Sequence, residues 1–352
     1  MGAAYWRGLE AMTLTVAAVL AALLLFGIFV AFDGLNPVDV YRVLYLGAFG
    51  TSFSIESTLT RAAPLMLTAL CVAIPARAGL LIIGGEGALV LGGITAVLAG
   101  VALAGSPPGI AIPLILVAGA AGGAAWIAIP AGLRQFRGVN ETISTLLFNY
   151  IAIALLNHLV SGPMRDYAQT LKPTSWPIEP AFMIGTIPGT NVNWGLACGI
   201  VACLVAYVAL RRTTLGFAMG ILGGNLRAAQ MTGLPVARLV LIAAALGGAA
   251  AGLAGAVEIV AVHGAASVSL VVGYGYAGIL VAFIARQNPL AVIPVALLVG
   301  GISASGGLLQ RRFAMPDAAT TVLEGCIFVV VLASNALYGR IRLLQPRAVA
   351  PA

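Results

Sequence analysis

The sequence predicts an all-α polytopic membrane protein of about ten transmembrane helices, some of them broken or re-entrant. Three observations predict it. First, 61% of the 352 residues are hydrophobic and only 8% are charged, whereas a soluble domain carries roughly 25% charged residues. Too few charges are present to cover a water-facing globule of this size. Second, apolar runs of about 20 residues recur, the length that crosses a bilayer as a helix. Third, these runs lack the strand-like alternation of a membrane barrel, which leaves helices as the spanning structure.

Met12–Phe32 is the first expected span. Arg7 precedes it, but the run is too long for the core of a signal peptide and no small-residue cleavage site follows. Asp33 to Glu56 is polar enough to be a loop outside the bilayer. Thr58–Ile74 is the second span, closed by Pro75 and Arg77. Leu80–Ala104 is the third, interrupted early by Gly84-Gly85-Glu86-Gly87, and Ser106-Pro107-Pro108-Gly109 turns the chain. Ile110–Pro130 and Thr142–Val160 are the fourth and fifth spans, with Arg134 and Arg137 between them. The longest non-apolar segment, 161–193, is an outside loop.

Trp194–Leu210 is the sixth span, and the Arg-bearing loop 211–238 follows. Leu239–Val262 is the seventh, Val268–Ala285 the eighth and Leu290–Ser305 the ninth; segment 264–285 either spans or re-enters. Gly306 to Asp317 is a short loop and Ala318–Leu337 the tenth span. The spans, 12–337, form one transmembrane domain over 1–352.

Charge orients the spans. With the N-terminus inside, twelve basic residues fall inside and six outside, the latter being Arg42, Arg61, Arg165, Lys172, Arg311 and Arg312. The excess places both termini and 211–238 in the cytoplasm. The net charge of +7 therefore reads as topology. Nucleic-acid binding is not expected, because the basic residues lie between spans and do not cluster with aromatics.

Cys71, Cys198, Cys203 and Cys326 all fall in apolar segments without metal-ligand spacing, and His158 and His263 stand alone at span ends. Packing roles are expected for them, with no metal and no cofactor. No catalytic constellation is present. A G-x-x-x-x-G-K-[ST] phosphate loop is excluded, since the only lysine, Lys172, precedes a proline. ATP hydrolysis, if it drives this chain, belongs to another subunit.

Two features carry function. Glu86, Glu258 and Glu324 are acids within or at the edge of spans, where a charge costs roughly 2.5–3.5 kcal/mol and calls for a partner or a cavity. Glu86 sits among glycines that free the backbone to leave the helix. The segment is either part of a substrate pathway or a capped helix start. In the loop 211–238, Leu226 to Thr232 is expected to form a short helix, capped by Asn225 and stopped by Gly233-Leu234-Pro235. It is either a handle for another protein or an ordinary positive-inside loop.

Three stretches resemble one family. Arg77-Ala78-Gly79-Leu80-Leu81-Ile82-Ile83-Gly84-Gly85-Glu86-Gly87 resembles the R-x-G-x-x-N-I-G-x-E-G-Q signature of nucleoside-type importer permeases. Asn140 to Ala152 is similar to their N-E-x-I-x-T-L-M-x-N-Y-I-A run, and Ser161-Gly162-Pro163-Met164-Arg165-Asp166 continues it. Arg212-Thr213, Gly216, Gly223, Asn225, Ala228-Ala229 and Gly233 fit their cytoplasmic loop. Ile83, Ala88 and Gly220 depart from the pattern, standing where Asn, Gln and Arg are usual.

The family is the permease subunit of ATP-binding-cassette importers for nucleosides, related to simple-sugar and branched-chain amino-acid permeases. The resemblance implies a multi-pass permease of the bacterial inner membrane. It also implies three partners: a cytoplasmic ATPase, a second and homologous permease, and an outside substrate-binding lipoprotein. It assigns Gly84, Gly85, Glu86, Gly87 and Asn149 to the substrate pathway. It assigns Gly216, Gly223, Asn225, Arg227, Ala228, Ala229 and Gly233 to coupling with the ATPase. The cargo expected is a nucleoside or similar neutral hydroxylated molecule. A simple sugar, a branched-chain amino acid, or an ion-coupled transporter are the alternatives.

Overall fold

The computed structural model describes residues 2–168, 172–316 and 318–337, with side chains from 17 to 334 within those ranges. Arg340, Arg342 and Arg347, three of the inside charges, lie outside the described residues. The chain divides into two compact units, Met1–Thr51 with Ile302–Ala352, and Ser52–Gly301.

Thirteen α-helices are found among the described residues. Seven are long and apolar enough to cross a membrane, or eight if the bent pair at the N-terminus counts as one span. The other two of the ten expected spans are represented by shorter apolar stretches, Val268–Ile284 and Ala318–Ser334.

In the first unit, α1 (Gly2–Phe32) buries Ala22, Phe26 and Val30, spaced i, i+4, i+8 on one face. α13 (Ala318–Leu337) does the same with Leu323, Ile327 and Val331, and the two helices pack together. Glu324 accepts a 2.6 Å hydrogen bond from the Ser303 hydroxyl.

The segment 33–56, expected to be a loop, is mostly helix. α2 (Pro37–Phe49) turns 117° from α1. Asn36 caps it by accepting from the Val38 N–H at 3.0 Å, and Pro37 opens it without an amide to satisfy. Asp39 and Arg42 gave the segment its loop-like polarity. The helix instead follows from Val40, Val43, Leu44 and Gly47, which form one buried stripe.

The second unit holds the site. α3 (Ser52–Ala76) starts six residues before the expected span. α4 (Gly85–Ala102), α5 (Pro108–Arg137) and α10 (Val236–Glu258) pack around one apolar core containing Leu67, Leu89, Ile115, Leu156 and Ile259. Glycine makes this packing possible. A Cβ on Gly252 would lie 2.8 Å from both the Cα and the nitrogen of Gly123, and one on Gly255 would lie 2.7 Å from the Gly93 nitrogen. Backbone therefore meets backbone, which is how helices gain contact in lipid, where no hydrophobic effect draws them together.

α6 (Glu141–Ser161) begins at Asn140, whose side chain accepts from the N–H groups of Thr142 and Ile143. Gly138, left-handed at φ 69°, ends α5 beside Arg134 and Arg137, and Arg134 pairs with Glu141 at 3.3 Å. The segment 172–193 is stitched down rather than loose. Ser175, Ile178 and Ile184 donate their N–H groups to the carbonyls of Ala266, Gly264 and Val260.

α7 (Gly195–Arg212) leads to α8 (Thr214–Gly224) and α9 (Leu226–Met231). After α10 comes one π-turn, Ile259–His263, and a mostly non-helical stretch before α11 (Tyr274–Ile284). α11 has eleven residues, about 16 Å at 1.5 Å per residue, roughly half a hydrocarbon core. The expected eighth span is thus α-helical only in its second half. α12 (Pro289–Phe313) runs through the expected loop at Gly306, because Leu309 continues its buried face.

Candidate functional site

The glycine-rich break is built as the sequence indicated. Leu80 to Ile83 is non-helical, and α4 starts after Gly84. A non-helical strand of backbone within a membrane domain needs partners for its N–H and C=O groups. One face of α6 supplies them. Thr142 donates its hydroxyl to the Leu81 carbonyl at 3.1 Å, and the Thr145 hydroxyl accepts from the Ile83 N–H at 3.2 Å. Asn149 donates to the Ile83 carbonyl at 3.0 Å and accepts from the Gly87 N–H at 2.8 Å. The residues are spaced i, i+3, i+7, one helix face. Two of the three recognised stretches are therefore the two halves of one hydrogen-bonded zipper.

Glu86 is fully buried. Its Oε1 accepts from the Gly273 N–H at 2.9 Å and its Oε2 from the Gly275 N–H at 2.6 Å. Both donors open α11, where a helix leaves amides unpartnered and carries partial positive charge. Both carboxylate oxygens are engaged, so the side chain acts as the cap of a distant short helix. Thr68 adds a bond from its hydroxyl to the Tyr274 carbonyl at 2.9 Å. The residues expected to line a substrate pathway, Gly84 to Gly87 and Asn149, are brought together. Asn149 also lies 3.4 Å from the Tyr276 hydroxyl.

The residues expected to couple to an ATPase lie along α8, α9 and the turn that follows. Thr213 caps α8 by accepting from the Gly216 N–H at 3.3 Å. Asn225 caps α9 by accepting from the Ala228 N–H at 3.1 Å, and left-handed Gly233 follows its end at φ 74°. Ala229 is fully buried, while Leu226 is 53% and Met231 89% exposed. α9 is thus seated by one small residue and presents a mixed face of Leu226, Arg227, Gln230 and Met231. A Cβ on Gly79 would lie 3.2 Å from the Gly223 Cα, so this loop touches the end of α3 backbone to backbone. Gly220, where the pattern has Arg, leaves room for the Arg77 guanidinium, 3.3 Å from where its Cβ would be.

One feature escaped the sequence reading. A cavity of about 340 Å³ is lined by Glu56, Ser57 and Arg61 of α3, Asn191, Glu258 and Tyr274, among others. Glu56 accepts from the Asn191 side-chain amide at 2.8 Å, and Glu258 Oε2 lies 3.5 Å from His263 Nε2. The Arg61 side chain makes no hydrogen bond or ion pair among the described residues. The signal that existed was Glu258 itself, an acid at a span end. Arg61 read only as a topology charge.

Comparison with known proteins agrees with these motifs. A family profile described as branched-chain amino acid transport system / permease component matches residues 54–332. The chain is similar to the glucose ABC transporter permease protein of Haloferax volcanii, at 31% identity over 91% of this chain and 87% of the relative. It is 29% identical to the guanosine ABC transporter permease protein of Bacillus subtilis, over 87% and 88% of the two chains. It is 26% identical to a nucleoside ABC transporter permease protein of Lactococcus lactis, over 90% and 89%.

Proposed function

The chain belongs to the family of branched-chain amino acid transport system permease components, and from that premise we propose that it is the permease subunit of an ATP-driven importer for a nucleoside. The expected multi-pass helical membrane protein is what the fold shows. ATP is hydrolysed by a separate cytoplasmic subunit that docks on α9. A second, homologous permease and an outside substrate-binding lipoprotein complete the complex. The protein sits in a bacterial inner membrane, with both termini and 211–238 in the cytoplasm, and 1–352 acts as one permease domain.

The observation that carries this reading is α9: six residues, capped at its start, ended by a left-handed glycine, and exposing Leu226 and Met231. A short rigid helix with an apolar, partly basic face suits a partner's groove. The nucleoside cargo rests on the guanosine and nucleoside relatives. The break at Gly84–Gly87, with Asn149, borders the cargo's path by fixing where α11 begins. A simple sugar is the second reading, favoured by the glucose relative. The ion-coupled alternative loses its basis with family membership.

The test is uptake of labelled adenosine, glucose and leucine by the reconstituted complex, with competition among them. Adenosine uptake that requires ATP is expected. Uptake of glucose or leucine without adenosine overturns the nucleoside cargo and leaves the importer class.

A further inference from the structure

We propose that the cavity between the first turns of α3 and the end of α10 is a cargo chamber, in which Arg61, Glu258 and Tyr274 hydrogen-bond a neutral, hydroxyl-bearing molecule. The proposal deepens the importer reading and rests on it.

Position comes first. α10 has 23 residues, roughly 34 Å of helix. α9 precedes its first turn, and Glu258 is its last residue. α3 runs alongside in the opposite sense. A Cβ on Gly247 of α10 would lie 2.8 Å from the Cys71 carbonyl oxygen, near the end of α3, while Glu258 shares the cavity with Arg61, near its start. The far end of α3 leads to Gly79, which touches Gly223 of the coupling loop. Both helices that wall the chamber therefore reach the coupling surface at their other ends. A displacement of that surface is carried to Arg61 and Glu258 through rigid helices. The π-turn directly after Glu258 widens the helix at the chamber, a distortion that recurs at functional sites.

Chemistry comes second. Small-molecule pockets run from about 300 Å³ upward, and about 340 Å³ holds one ring system or a pair of small rings, not a polymer. Arg61 offers five N–H donors that no group among the described residues takes up. Glu258 is buried and its Oε2 is shared at 3.5 Å with His263, which leaves acceptor capacity for hydroxyls. The Tyr274 hydroxyl both donates and accepts. Two carboxylates, Glu56 and Glu258, face the space against a single arginine, so a phosphorylated cargo is repelled. Tyr274 lies between Gly273 and Gly275, whose N–H groups Glu86 holds. The glycine-rich break thereby positions one wall of the chamber.

The experiment uses the whole complex of two permeases, ATPase and cargo-loaded binding protein, with Arg61→Met, Glu258→Gln and Tyr274→Phe made separately. Wild-type uptake of adenosine and glucose first identifies the cargo. That cargo and its analogue lacking one hydroxyl are then compared, each variant against wild type, so that discrimination by the binding protein cancels. The expected wild-type preference for the full cargo shrinks by about tenfold in Arg61→Met or Glu258→Gln and about threefold in Tyr274→Phe, while ATPase stimulation by the loaded binding protein is retained. Tyr274→Phe removes a single oxygen and tests the chamber even if a charge substitution fails to fold. Preferences unchanged in all folded variants overturn the chamber. A complex that carries glucose and not adenosine overturns the nucleoside reading alone, and the chamber is then judged with a deoxyglucose pair.

Discussion

Glu86 Oε2 accepts a 2.6 Å hydrogen bond from the backbone N–H of Gly275, 189 residues further along the chain. With the second bond to Gly273, a single side chain ties the start of α4 to the start of α11. A buried carboxylate is costly in a membrane domain unless its oxygens are satisfied, and both are. Glu86→Gln keeps one acceptor oxygen and turns an NH₂ group toward a backbone N–H. The variant is expected to lose about 1–3 kcal/mol of stability, the cost of leaving a buried polar group unsatisfied. Thermal unfolding in detergent measures it. An unchanged midpoint would show that Glu86 is not the cap of α11.

Asn149 holds the opposite side of the same break, bonding the Ile83 carbonyl and the Gly87 N–H. Asn149→Ala orphans both, at about 1–3 kcal/mol each. Asn149→Asp is expected to be at least as damaging as Ala, because it keeps the acceptor for Gly87 but turns a buried carboxylate oxygen toward the Ile83 carbonyl. A detergent-extracted folded yield that is high for wild type and reduced in both variants is the result to look for. Equal yields for all three would count against the zipper.

The helical core makes a sharper contrast. Gly252 has no room for a side chain against Gly123, whereas no atom lies within 4 Å of a Cβ on Gly224, at the end of α8. Gly252→Val forces α5 and α10 apart and is expected to prevent assembly of the folded protein; overpacking alone typically costs 1–3 kcal/mol, and here backbone must move. Gly224→Ala is expected to be neutral within about 0.5 kcal/mol. Size-exclusion profiles in detergent separate the two, and a monodisperse Gly252→Val sample would refute the close packing.

What was legible in the sequence was what local chemistry dictates. Asn225, with Gly233 eight residues on, marked α9 because cap and stop signals act within a few residues. Gly84 to Gly87 marked the break because an acid among glycines is costly in an apolar run. The identity of the partners was not legible. Glu86 bonds Gly273 and Gly275, and Arg61 lines one cavity with Glu258, through tertiary proximity that no spacing rule encodes. α2 was hidden because Asp39 and Arg42 made an amphipathic helix look like a loop. The non-helical stretch before α11 was hidden because apolar content does not distinguish an extended chain from a helix. Its partners, Ile178 for Gly264, Ser175 for Ala266 and Glu86 for Gly273, come from far upstream.

The proposed coupling surface yields the last prediction. The Ala229 N–H donates to the Asn225 carbonyl at 3.1 Å, and the Ala229 side chain is fully buried. Ala229→Pro deletes that bond and clashes with the carbonyl four residues back, at about 3 kcal/mol or more. A six-residue helix has little else to hold it. Met231, by contrast, is 89% exposed, so Met231→Glu leaves α9 intact and places a charge where an apolar side chain would dock. Both variants are expected to insert and fold, since α9 sits outside the apolar core. Both are expected to lose co-purification with the ATPase and ATP-dependent uptake, Ala229→Pro completely and Met231→Glu by about tenfold if roughly 1.4 kcal/mol of docking energy is removed. The pair separates shape from surface. Loss in Ala229→Pro alone would mean that α9 transmits force without Met231 at the contact. Full uptake by both would remove α9 from the coupling pathway.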